Sequence, residues 1–217
     1  MDADVEFFWD PVCPWAWLTS RWVALVARQR DLRVDWRFIS LRLLNEHRDY
    51  ATEFPAGYPE VHGTGLKLLR VAAAIREVEG PARMGELYTT FGGDIHVRRR
   101  RKELLEAYEA GFPDYLRSVG IEERYLGAAN DDAYDDLLRA EKDEALRRTG
   151  KDVGTPILSF RRDGIEQSFF GPVISEVPPP ERAGVLWDAM WELATYPGFA
   201  ELKRSLRDEP KLATSLD

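Results

Sequence analysis

The sequence predicts an α/β protein in which a β-α-β half and a β-β-α half flank a long stretch of helix. Two observations carry this. Short apolar or alternating runs that read as strands occur only near the two ends of the chain. Between them, residues 43–151 hold no convincing strand and show apolar residues at three- and four-residue spacing.

The elements follow in order. "VEFFW" (residues 5–9) is a buried strand, ended by Asp10-Pro11. From Pro14 the period changes. Trp15, Leu18, Trp22, Leu25 and Val26 mark a helix, and Pro14 suits its first turn because no N–H partner is needed there. "LRVDWRFIS" (residues 32–40) alternates Val34, Trp36 and Phe38 with polar and charged residues and reads as a second strand. In the middle, "GLKLLRVAAAIREVEG" is one helix, and "ARMGELYTTFGGDIH" is another, expected to break at Gly92-Gly93. "RKELLEAYEAG" closes at Gly111. "NDDAYDDLLRAEKDEALRRTG" has acids at its start, Arg147 and Arg148 in its last turn and Gly150 as a stop. Strands return at "PILSF" and "IEQSFF", joined by a turn at Arg162-Asp163-Gly164. An amphipathic helix spans residues 181–195, and a short helix is expected in the tail "PGFAELKRSLRDEP". The two halves together make a thioredoxin-like sheet. The expected division is a discontinuous thioredoxin-like domain, residues 1–42 and 152–217, with an all-helical insertion of residues 43–151.

Composition narrows the function. The chain is 44% hydrophobic and 31% charged, an ordinary globular balance. Its net charge of −8 disfavours nucleic acid or an anionic membrane as partner. One cysteine makes no internal disulfide, no apolar run approaches a membrane span, and the acidic start "MDADVEFFWD" is unlike a secretion signal. The expected location is the cytoplasm.

The lone cysteine, Cys13, stands in "DPVCPWAWLTS", with Ala16 where a Cys-x-x-Cys motif has its second thiol. A thiol at a helix N-terminus faces unpaired N–H groups and the positive end of the helix dipole. That setting lowers the pKa, to roughly 3.5 to 7.5 in reactive cases. The competing reading is a small buried hydrophobe. The proline-led helix start favours a reactive thiol. A second constellation is Gly154-Thr155-Pro156 directly ahead of a strand, weak alone and stronger with the cysteine at this place in the topology.

On the stretches "FFWDPVCPWAWLTSRWV", "FISLRLLNEHRD", "KDVGTPILSF", "FFGPVISEVP" and "LWDAMWELATYPGFAELKR", the chain resembles the DsbA-like thioredoxin-fold family. Within it the likeness is to the mycothiol-dependent nitroreductase type, relatives of 2-hydroxychromene-2-carboxylate isomerases and kappa-class glutathione transferases. The resemblance spans nearly the whole chain and is least in the helical region. It implies a helical lid over the thiol, Cys13 as nucleophile, Pro156 as a cis-proline whose loop presents the Thr155 backbone to a bound partner, and a low-molecular-weight thiol as reductant. Pro14, Trp15 and Ala16 complete the motif. Ala16 departs from the dithiol members, so any mixed disulfide on Cys13 needs an outside thiol to open it.

Other residues carry weaker expectations. Trp15 flanks the thiol and offers a ring to a flat aromatic substrate, whereas Trp9, Trp17 and Trp22 read as core. Asn45 either orients a thiol co-substrate or caps a helix. Phe170, Gly171 and Pro172 are candidate wall residues, with a plain turn as the alternative. His96 is a candidate general acid or else a surface or core histidine. The three histidines lack metal-ligand spacing, and no metal or tightly bound cofactor is expected. "VRRRR" is read as a solvated helix start, or as facing an anionic cofactor, and the acids from Asp131 to Asp136 as a helix start rather than a calcium loop.

Three functions compete. The first is a monothiol thiol–disulfide oxidoreductase that uses mycothiol or a similar thiol to reduce mixed disulfides or electrophilic aromatics such as nitro compounds. The second is a thiol-cofactor isomerase or glutathione-transferase-like enzyme without net redox change. The third is a binding protein with an ordinary thiol. The expected partners are a small thiol and a disulfide or aromatic electrophile, not nucleic acid or membrane, and a homodimer is left open.

Overall fold

A computed structural model describes residues 3–162 and 164–212. Among them, four strands form one sheet in the order β2-β1-β3-β4. β1 (Val5–Trp9) pairs parallel with β2 (Val34–Phe38) and antiparallel with β3 (Ile157–Arg162), which pairs antiparallel with β4 (Ile165–Phe170). The parallel pair needs a crossover, supplied by α1 (Pro14–Arg30). This is the thioredoxin-like arrangement read from the sequence. Asp163, at the tip of the expected β3–β4 turn, lies outside the described residues.

The pleat of β1 sends alternate residues to opposite faces. Val5, Phe7 and Trp9 enter the main core, while Phe8 joins Ile39, Ala145 and Ile157 on the other side. α1 and α10 (Pro180–Thr195) cover the first face, and α9 (Asp135–Thr149) covers the second. Glu141 of α9 fixes that docking. It accepts the Phe38 N–H at 2.6 Å and pairs with Arg37 at 3.1 Å and Arg76 at 2.8 Å.

Everything described between β2 and β3 is helix or turn. In order come α2 (Leu41–Leu44), α3 (Tyr50–Glu53), α4 (Tyr58–Glu79), α5 (Met84–Gly92), α6 (Arg101–Glu106), α7 (Phe112–Ser118), α8 (Glu123–Leu126) and then α9. α4 runs through the middle with one long side buried (Leu68, Leu69, Val71, Ala72, Ile75) and packs on α5, α6, α8 and α9.

Three expectations change. Gly92-Gly93 is no break: both residues are right-handed helical, and α5 runs straight into a π-helical turn, Gly93–Val97. The helix expected from residue 130 begins with two 3₁₀ turns, and Asp131 caps the second through the Ala133 N–H at 3.0 Å before α9 starts. The tail holds no helix through residue 212. Leu202 and Leu206 stay exposed, whereas Leu212 packs against the main core. The tail is held by contacts instead: Phe199 on Phe169, Arg207 at 5.8 Å from the Trp15 ring, and the Lys211 N–H on Ser175 O at 2.8 Å.

Candidate active site

Cys13 is the N-cap of α1. Its backbone is extended, Pro14 takes the first helical position, and the Cys13 carbonyl accepts the Trp17 N–H at 3.0 Å. The side chain does the capping: Sγ accepts the Ala16 N–H at 3.4 Å. From the far end of the chain, 142 residues away, Thr155 Oγ1 donates to the same Sγ at 2.9 Å, and Sγ lies 3.8 Å from Thr155 O. The Thr155–Pro156 bond is cis, as is Gly171–Pro172. The two proline loops lie side by side, with the Gly171 N–H on Pro156 O at 2.9 Å. Thr19 of α1 donates to Pro172 O at 2.8 Å, so helix and loops form one unit. Phe170, 38% exposed, lies across Gly154 at the edge of this unit, and Trp15 is half-buried beside the cysteine.

The helical segment closes over the other side. His96, on the π turn, donates from Nε2 to Pro11 O at 2.9 Å and stacks on Trp17 with ring centroids 5.8 Å apart. Burial pushes His96 down to about 4, so the ring is neutral near pH 7. It holds the loop before Cys13 in place; its bonded nitrogen is not aimed at a substrate proton. Tyr88 of α5 stacks on Trp9 at 4.4 Å, below the same loop. Asp10, which ends β1, is fully buried and accepts the N–H groups of Val12 at 3.0 Å and Leu41 at 2.8 Å.

This closure reverses one expectation. Only 5% of Cys13 is exposed. Burial pushes its thiol above the ordinary value. The Thr155 hydroxyl and the N–H groups of Ala16 and Trp15 pull it part of the way back, and the Asp10 charge adds to the rise. In this closed arrangement the helix start does not hold a thiolate, because desolvation outweighs the donors.

The other candidates divide. Asn45 is spent locally as the C-cap of α2, with its amide on Leu41 O at 2.8 Å. Phe170, Gly171, Pro172 and His96 gather around the unit just described. Trp9, Trp17 and Trp22 are core. Within the arginine run, Arg100 pairs with Asp94 at 3.3 Å and with Glu103 at 2.7 Å. A cleft of about 460 Å³ near Thr89, Asp94 and Ser118 touches none of the Cys13 residues. Sequence reasoning passed over Asp10, taken as a strand terminator, and Thr19. For Asp10 a signal was present: an acid directly after an apolar strand, three residues before the cysteine.

Comparison with known proteins decides the family. The pattern of the Rv2466c-like family, described as mycothiol-dependent nitroreductase Rv2466c, matches residues 12–204. The chain belongs to the Rv2466c-like family. An uncharacterized Mycobacterium tuberculosis protein, Rv2286c, is 30% identical over 210 residues, covering 92% of this chain and 81% of its own length. Two solved structures share the fold. The cytosolic disulfide reductase DsbM of Pseudomonas aeruginosa has TM-score 0.50 and 18% identity, over 88% of this chain and 99% of its own. A Nitrosomonas europaea protein has TM-score 0.54 and 13% identity, over 88% and 98%. As a member of the Rv2466c-like family, the chain is a thiol-dependent oxidoreductase with a DsbA-like thioredoxin fold. No helix among the described residues is long and apolar enough to cross a membrane.

Proposed function

We propose that this protein is a monothiol oxidoreductase whose Cys13 reduces mixed disulfides or electrophilic aromatics, nitro compounds among them, at the expense of mycothiol or a similar small thiol in the cytoplasm. The observation that carries the reading is the chain's one thiol set between the α1 N-terminus and the Thr155–Pro156 loop. Both groups beside it, the Ala16 N–H and the Thr155 hydroxyl, are donors that suit a thiolate or a sulfur partner. Residues 43–151 act as a lid, and the opened site hydrates the thiol and lets it ionise.

The chemistry balances with an outside thiol. The Cys13 thiolate attacks one sulfur of a substrate disulfide, a new S–S bond forms at Cys13, and the second sulfur leaves as a thiolate. Ala16 offers no internal resolution, so an external thiolate breaks that bond, frees Cys13 and departs in a disulfide. With a nitroarene, the Cys13 thiol and one external thiol supply two electrons and two protons. The products are a nitroso compound, water and the same mixed disulfide, which a further thiol then opens.

The test follows Cys13 by intact mass while the protein meets a small disulfide at pH 6 to 10. One adduct on Cys13, formed faster as pH rises and removed by mycothiol, is the expected result, and Cys13→Ser abolishes it. A folded protein whose Cys13 stays unmodified across that range overturns the reading. Turnover that returns the thiol unchanged, with no disulfide product, replaces it with the isomerase or transferase reading.

A further inference from the structure

Asp10 has no part in the reaction just described, yet its surroundings are built around it. One carboxyl joins three elements. Oδ1 accepts the Val12 N–H of the Cys13 loop, and Oδ2 accepts the Leu41 N–H that opens α2. The third element is α4, which presents Gly65. A Cβ there would stand 2.5 Å from Oδ1 and 3.0 Å from both Oδ2 and Val12 Cγ2.

Capping alone does not require the charge. A neutral carboxylic acid, or an asparagine for one of the two N–H groups, also accepts such bonds without the cost of burying a charge. Among the described residues no arginine, lysine or histidine pairs with Asp10. The Asp10 charge reaches Cys13 at the start of α1, Tyr50 of α3 and Tyr88 of α5, all of which ionise to anions; one step further out, His62 of α4 bonds the Tyr50 hydroxyl at 2.9 Å and Arg42 of α2 lies over the Tyr50 ring. Of these neighbours, the thiol is the one that must become negative for the reaction, and the Asp10 charge opposes that ionisation.

We propose that Asp10 is a positioning residue of the Cys13 centre: it seats the Cys13 loop against α2 and α4, and its charge governs how readily the thiol ionises. The inference rests on Cys13 being the nucleophile. When Asp10 is ionised, a second anion at Sγ is opposed; when it is protonated, the opposition is gone. Burial pushes this carboxyl up to about 7, so both forms are populated near neutral pH.

The decisive measurement is the pH profile of Cys13 alkylation by iodoacetamide, followed by mass, in the full chain and in Asp10→Asn. The variant keeps the shape, removes the charge and gives up one of the two N–H bonds. Its thiol midpoint is expected about one pH unit below the parent's. Alkylation is expected to rise by roughly three- to tenfold near pH 8.5, where the parent's Asp10 is almost wholly ionised, and by less than about twofold at pH 7, where half of it is already protonated. An unchanged midpoint in a folded Asp10→Asn makes Asp10 a cap and overturns the inference, while Cys13 remains the nucleophile. A parent chain that is not alkylated at any pH where it is folded fails at the earlier step and removes the nucleophile itself. Should Asp10→Asn not fold, the carbon-13 resonance of the Asp10 carboxyl in the unaltered chain is the readout. It is expected to titrate near pH 7 and to show a second, smaller step where Cys13 ionises, lost in Cys13→Ser. A single step in the ordinary carboxylate range, or a second step that survives Cys13→Ser, overturns the inference.

Discussion

Glycine does different work in the two parts of the chain. In the sheet half it serves turns and loops: Gly164 (φ 79°) beside the β3–β4 turn and Gly171 (φ 104°) before a cis proline. The helical segment has cap and turn glycines too, Gly57, Gly80, Gly120 and Gly150 among them, but three others stand on helix faces where a side chain from the other half fills the missing Cβ position. Gly65 of α4 meets Asp10, Gly85 of α5 meets the Trp36 indole, and Gly92 of α5 lies against the Trp17 ring. Each receiving residue belongs to β1 or its end, β2 or α1. The sheet half builds the thiol centre by backbone geometry, and the helical segment is fitted to it by omitting side chains. Close packing makes such a seat intolerant of even one extra methyl group.

The sharpest way to break that contrast is Gly92→Ala. In an exposed helix this change stabilises by about 0.5–1 kcal/mol. Here the methyl group meets a fully buried Trp17 ring, so urea unfolding is expected to show a loss of about 1–3 kcal/mol. A gain would mean that the two parts are loosely docked.

The second test uses pH. His96 and His62 are held at about 4 by burial, so the unfolded chain binds protons that the fold excludes between there and about 6.5. Their contribution is complete above 6.5 and is lost as pH falls toward 4. Asp10, raised to about 7, acts in the same window with opposite sign: its contribution is present below its ordinary value and is lost as pH rises through 7. His96→Gln, which keeps a donor, is expected to remove up to about 1–3 kcal/mol of the stability lost between pH 6.5 and 4. An unchanged slope in denaturant titrations would mean that His96 is hydrated and the helical segment stands off the Cys13 loop.

The smallest effect belongs to the sheet half alone. Thr155→Val removes the hydroxyl that donates to Sγ. The thiol midpoint is expected to rise by about half a pH unit or more, and exchange at pH 7 to slow a few-fold. An equal rate would show that the α1 N-terminus suffices and that the Thr155 hydroxyl is idle.

The sheet half was legible element by element except in its tail, where the expected short helix is absent. "VEFFW", Pro14 after Cys13, and "PILSF" paired with "IEQSFF" all emerged as strand, helix start and hairpin, and the DsbA-like family followed from the motifs they carry. The helical segment was legible only as helix. Its punctuation misled at Gly92-Gly93, because a glycine that admits an indole and a glycine that ends a helix look alike in sequence. Asn45 likewise reads as cap or ligand until its amide is found on Leu41 O.

The sequence by itself determined the order of strands and helices, the cysteine at a proline-led helix start and the lack of a resolving thiol. These depend on residues within a turn or two of one another, where periodicity and capping act. Only the tertiary structure decided what surrounds the thiol: Thr155 from 142 residues away, the proline loops tied to α1, and the helices that shut water out. The acidity of Cys13 and the isolation of Asp10 follow from that exclusion. Desolvation is the sum of everything packed around a group, and no local stretch of sequence contains it.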